Sequence, residues 1–185
     1  MKKYMLALGL SLLTVLGLFT GCSPKAETAS DSDSLKIVAT IFPEYDWVRQ
    51  VLGDRAGEVQ LTLLLDSGTD LHSYQPTAAD MLTIGECDLF LYNGGESDAW
   101  VERVLATAAN PDRRTLSVME VLGDSVLEEE VVEGMQEAED HDHAEGEAHE
   151  EEADEHVWLS LRNARTACAE IARVLGELDP DHAAE

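Results

Sequence analysis

Six histidines punctuate the chain: His72, His141, His143, His149, His156 and His182. Imidazole nitrogen is a natural donor to zinc-class cations, which commonly take four ligands with nitrogen at about 2.0–2.1 Å. His72 lies in Asp-Leu-His-Ser-Tyr-Gln-Pro-Thr, residues 70–77, and His156 in Asp-Glu-His-Val-Trp-Leu-Ser, residues 154–160. Alone, each would pass for a solvated side chain. Brought together by a fold, they would supply two imidazoles to one ion. His141, His143 and His149 have a different setting. They sit in an acidic tract, residues 124–155, where 16 of 32 residues are Asp or Glu and no Lys or Arg occurs between Thr115 and Leu161. Such a tract suits weak, rapidly exchanging zinc capture, because its field raises the local cation concentration.

The elements that must position His72 and His156 can be read from periodicity. Lys36–Ile41 is β-rich and runs into Phe42-Pro43, with Pro43 at the first position of a helix that Gly53 stops. Glu58–Leu65 reads as a strand whose Leu63-Leu64-Leu65 lacks alternation, as in a sheet covered on both faces. Residues 66–75 are loop. Thr77 and Asp80 form a capping pair for a helix to about Glu86. Asp88–Tyr92 is a third strand, Ser97 a cap for a helix carrying Trp100, Val101, Val104, Leu105 and Ala108, and Thr115–Met119 a fourth strand. Beyond the acidic tract, Ser160 caps an amphipathic helix with a stripe of Leu161, Ala164, Cys168, Ile171, Leu175 and Leu178. This alternation predicts an α/β fold, a parallel sheet with helical crossovers. Ligands of such sheets gather at the carboxyl ends of the strands, where the loop bearing His72 and the segment Asn93–Glu96 both lie.

The tract 124–155 has too few apolar residues to pack and reads as a mobile insertion within folded sequence. Asp179-Pro180-Asp181 is the start signal of a further helix close to Glu185, and more protein is expected after it.

The full chain has 185 residues, 12 basic and 38 acidic, for a formal charge of −26, with 44% hydrophobic and 5% aromatic residues. The apolar content supports one packed domain and argues against wholesale disorder. The charge excludes nucleic acid as a partner, since phosphate is repelled. Lys2 and Lys3 followed by the apolar run Met5–Phe19 form a secretory signal, too short to span a membrane. Thr20-Gly21 before Cys22 resembles a bacterial lipobox, although Phe19 stands where Leu is usual. Residues 1–21 are then a signal peptide, Cys22 the lipidation site, and 22–34 a polar tether; two acyl chains on Cys22 suffice for stable anchoring. Of the remaining cysteines, Cys87 and Cys168 lie in apolar-periodic stretches and read as buried thiols, with a pairing between them left open.

Four ordered motifs carry a family likeness: Lys36-Ile-Val-Ala-Thr-Ile-Phe-Pro43, Leu71-His72-Ser-Tyr-Gln-Pro-Thr77 with Asp80, Tyr92-Asn-Gly-Gly-Glu-Ser-Asp-Ala-Trp100 and Asp154-Glu-His-Val-Trp-Leu-Ser160. They resemble the zinc/manganese-binding lipoproteins that serve metal ABC importers. The resemblance implies a two-lobed, clam-like receptor with the metal between lobes, and it matches His72 and His156 to the family's first two histidine ligands. Leu71 and Leu161 stand where the family usually has Pro, and Gln75 where it has Glu; these bear on loop stiffness more than on ligand chemistry. Residues 35–185 would be the N-terminal metal-binding lobe, with a C-terminal lobe and its further ligands lying beyond Glu185.

The function so implied is capture of Zn²⁺, with Mn²⁺ as the alternative cargo, by a monomeric lipoprotein held outside the cytoplasmic membrane, which hands it to an ABC permease and its ATPase. No enzyme is expected. Two other readings compete: a surface zinc buffer or adhesion lipoprotein acting through His141, His143 and His149, and a zinc hydrolase using His141-Asp-His143 and a metal-bound water.

Overall fold

The computed structural model describes residues 34–66, 68–107, 109–129 and 153–185. The signal, Cys22, the tether and the histidines His141, His143 and His149 lie outside the described residues.

Four strands, β1 (Lys36–Ala39), β2 (Gln60–Leu63), β3 (Leu89–Tyr92) and β4 (Arg114–Ser117), form one sheet in the order β2-β1-β3-β4. Every pairing is parallel, with Ala39 opposite Leu63 and Leu91, and Tyr92 opposite Ser117. The helices are α1 (Phe42–Leu52), α2 (Ala78–Glu86), α3 (Val101–Leu105), α4 (Val118–Leu122) and α5 (Leu161–Leu178).

The two-residue period of a strand divides the core. Ile37, Ala39, Leu89, Leu91 and Leu116 face one layer, where Val48 of α1, Val118 and Leu122 of α4, and Ala167, Ile171, Val174 and Leu175 of α5 meet them. Val38 and Phe90 face the other, among Ile84 of α2, Val101 and Val104 of α3, and Leu71, Tyr74 and Trp100. The predicted α/β sheet with helical crossovers is therefore present.

Several local expectations need correcting. β2 is an edge strand with alternating exposure, so Leu63-Leu64-Leu65 does not run through a doubly covered position. The stripe on α5 is rotated from the one expected. Leu161 is 89% exposed, and Ala167 and Val174 take its place in the core. Ser160 does cap α5, accepting from the Asn163 N–H, and Thr77 accepts from Asp80 N while Asp80 accepts from Thr77 N. Met119, read as strand, belongs to α4, and Ala108 lies outside the described residues. The start signal at Pro180 produces a single 3-10 turn, Pro180–His182.

The acidic tract is narrower than its composition suggested. Val126 packs against the core, Glu128 pairs with Ala153 in an antiparallel bridge, and Asp154 N donates to Leu127 O at 2.8 Å. Glu155, counted within the insertion, is buried. Cys87 is a buried free thiol that donates to Ile84 O, and burial pushes its pKa up to about 12. Cys168 is a free, half-buried thiol, so the two are not paired.

Candidate metal centre

The strand order turns away in opposite directions from β1 and β3, and the crevice at their carboxyl ends is where such a sheet binds ligands. Three loops converge there: the one after β2, the turn Asn93–Asp98 after β3, and the segment Asp154–Ser160 that leads into α5. Asn93, almost wholly buried, ties the last two together by donating from Nδ2 to Glu155 O at 2.8 Å.

The fold brings His72 and His156 together, with ring centroids 5.6 Å apart and planes tilted by 53°. Each is held by the same local device. Asp70 Oδ1 accepts the His72 N–H at 3.0 Å, and Asp154 Oδ1 accepts the His156 N–H at 2.9 Å. An Asp two residues upstream thus fixes the backbone turn that presents each ring. Asp154 Oδ1 also lies 2.9 Å from His156 Nδ1. The His156 N–H, with burial opposing and the ring assisting, holds the Asp154 carboxyl below the usual range. Trp158 lies against the His156 ring, with centroids 5.3 Å apart. His72 Nδ1 sits 2.9 Å from Ser97 Oγ and 3.7 Å from Glu155 Oε2.

Ser97 was expected to cap a helix. It lies instead inside a 3-10 turn, Glu96–Asp98, and turns its hydroxyl toward Glu155 and His72. Its N–H donates to Glu155 Oε1 at 3.0 Å, and its O–H donates to Glu155 Oε2 in a short hydrogen bond. Reading the sequence gives Ser97 only as a helix cap and Glu155 only as a neighbour of His156, with no role at the site for either. They are 58 positions apart, and only the Glu-Ser-Asp turn after a Gly-Gly pair hinted at a specialised loop.

The glycine pair is what allows that turn. Gly95 has φ 80° and ψ −167°, a backbone region essentially reserved for glycine. A Cβ on Gly95 would lie 2.7 Å from Glu155 Cδ and 2.8 Å from its Cγ. Gly95→Ala should therefore cost about 1–3 kcal/mol in backbone strain and displace Glu155 as well. Urea denaturation checks this, and an unchanged midpoint would show that the turn relaxes freely.

Two buried acids lie near Glu155 in turn, Asp98 within electrostatic reach of Glu155 and Glu44 within reach of Asp98. Asp98 accepts from Gly94 N at 2.9 Å, and burial, with the nearby Glu155 charge, pushes its pKa up to about 6 against that hydrogen bond. Glu44, fully buried, receives Thr40 N, Thr40 Oγ1 and Ile41 N on Oε2. Burial raises its pKa to about 8. Among the described residues no group of three or more His, Cys, Asp and Glu side chains is disposed to hold a metal by itself. His182 plays no part here; its Nδ1 lies 2.8 Å from Asp179 Oδ1 at the far end of α5.

The family model of the periplasmic zinc-uptake complex component A matches residues 37–185. The chain belongs to this family. Zinc-binding lipoprotein AdcA of Streptococcus pneumoniae serotype 4 is 35% identical to this member of the zinc-uptake component A family over 161 residues, 86% of the chain and 29% of AdcA. The manganese ABC transporter substrate-binding lipoprotein scaA of Streptococcus gordonii is 29% identical over 179 residues, 95% of the chain and 52% of scaA. The chain thus spans about half, or less, of the relatives it matches. The crystal structure of Zn(II)-bound AdcA from S. pneumoniae superposes with a TM-score of 0.59 at 28% identity, covering 81% of this chain and 27% of that one. The sheet described above is accordingly that of the metal receptors of the zinc-uptake component A family.

Proposed function

We propose that this protein captures Zn²⁺ outside the cytoplasmic membrane and delivers it to an ABC importer, with His72 and His156 as two of the ion's ligands. One observation carries the reading: two imidazoles from separate loops meet at the carboxyl ends of the strands with centroids 5.6 Å apart. Two imidazoles sharing a tetrahedral ion at zinc–nitrogen distances of about 2.0–2.1 Å would place their centroids about 5 Å apart. Imidazole donors favour Zn²⁺ over Mn²⁺, although the related scaA is named for manganese, so Mn²⁺ is the competing cargo. Two donors leave a four-ligand site half complete, and the remaining donors come from outside the described residues or from solvent. The permease with its ATPase is the partner, Cys22 the lipid anchor, and His141, His143 and His149 an auxiliary capture tract. The receptor acts as a monomer and catalyses no reaction.

The deciding experiment is zinc affinity of the chain from Cys22 onward by competition with a chromophoric chelator, beside a version lacking residues 133–152, which removes His141, His143 and His149 and keeps Asp154 and Glu155. The expected result is binding that survives the deletion. Binding that disappears with residues 133–152 would make the protein a surface zinc buffer and refute the receptor reading.

A further inference from the structure

A histidine binds a metal through a ring nitrogen that carries a lone pair, so its tautomer decides which nitrogen is available, and that is set by the bond the other nitrogen makes. At His72 the hydrogen-bond directions leave one solution. Glu155, as a carboxylate, only accepts. It takes the Ser97 N–H on Oε1 at 3.0 Å and the Ser97 O–H on Oε2. Ser97 has one hydroxyl proton, and it is committed to Glu155. Toward His72 Nδ1, 2.9 Å away, the Ser97 oxygen can therefore only accept.

We infer that Glu155 and Ser97 are positioning residues for metal capture: their relay holds the proton of His72 on Nδ1 and leaves the Nε2 lone pair for the ion. The inference rests on the metal-site reading above. The same Oε2 that accepts the Ser97 O–H lies 3.7 Å from His72 Nδ1 and favours a proton there. His156 reaches the same state by a shorter route. Asp154 Oδ1 accepts its ring Nδ1–H at 2.9 Å, which leaves Nε2 as the nitrogen with a lone pair. Two carboxylates adjacent in sequence, Asp154 and Glu155, thus set the tautomers of two histidines on different loops.

The geometry makes a near-isosteric test available. In Glu155→Gln the amide oxygen keeps the Ser97 N–H, which places the amide NH2 where Oε2 was. That group donates to Ser97 Oγ, the hydroxyl proton turns to His72 Nδ1, and the ring carries its own proton on Nε2. Long-range ¹H–¹⁵N NMR of the metal-free chain, at a pH where the imidazoles are neutral, reads the tautomer directly. The expected result is Nδ1–H at His72 in the parent, Nε2–H in Glu155→Gln, and zinc affinity by chelator competition about 10–100-fold weaker in the variant. Ser97→Ala should lose the preference, and Ser97→Thr, which keeps the hydroxyl, should restore it. An unchanged His72 tautomer in Glu155→Gln and Ser97→Ala overturns the relay. A swapped tautomer with unchanged zinc affinity overturns its role in capture. Undiminished zinc binding by His72→Ala refutes the metal-site reading instead, and leaves the tautomer result standing.

Discussion

Zinc affinity should fall about 100-fold or more in His72→Ala and equally in His156→Ala, while His182→Ala binds as the parent does. The estimate is a lower bound, since losing even an outer partner of a ligand typically costs 10–100-fold. The two losses should not add. If both rings hold one ion, removing either destroys most of the site, and the double variant should be little worse than each single one. His182 supplies the control because it is bonded to Asp179 beyond the end of α5 and touches neither loop. Chelator competition on the four variants decides the matter. Equal affinity in all of them would refute the assignment, and additive losses would mean two separate weak sites.

That pair was singled out in the sequence because each histidine lies in a compact local motif, and the two motifs together resemble those of the zinc/manganese-binding lipoproteins. The sheet was legible for a similar reason: Lys36–Ile41 and Asp88–Tyr92 are short apolar runs flanked by helix signals, and Thr77–Asp80 and Ser160 are local caps that act within four residues. What escaped was set by tertiary meetings. Ser97 has the chemistry of a cap, and nothing local says that Glu155 will claim its hydroxyl. Glu155 itself is the last of a long acidic series, and composition gave no ground for separating it from neighbours that stay in solvent. β2 was misjudged because covering both faces of a strand depends on where it lands in the sheet order, and β2 landed at the edge.

Thermal stability should decline from pH 5 to pH 9 in the parent and decline much less in Glu44→Gln. Glu44 is 0% exposed on α1, and its pKa is raised from 4.5 to about 8, chiefly by burial. The folded protein therefore binds a proton that the unfolded chain releases above about pH 4.5. More protons bound in the folded state means that stability falls as pH rises. The favourable contribution is complete below pH 4.5, shrinks between there and about 8, and is gone above. A shift of that size is worth on the order of a few kcal/mol, which corresponds to about 5–10 °C in Tm for a chain of this length. Asp98, with its pKa raised to about 6, adds a decline of the same sign that is finished at lower pH. Glu44→Gln mimics the protonated acid: its amide oxygen can receive Thr40 and Ile41 as Oε2 does now. The variant should match the parent near pH 5 and exceed it at pH 9. Calorimetry across that range checks the claim, and parallel curves for the two proteins would show that Glu44 is ionised in the fold.

The way α5 closes the structure has a consequence for the order in which the protein comes into being. All four strands are encoded before residue 118, yet the sheet face bearing Ile37, Ala39, Leu89 and Leu91 is covered in large part by Ala167, Ile171, Val174 and Leu175. A chain emerging amino end first therefore presents the four described strands with one apolar face still bare. It must wait for residues 161–178 before that face is shut. During this interval the intermediate is prone to associate with its own copies. A chain stopped or cut between Ser125 and Ser160 would keep that defect permanently and should precipitate.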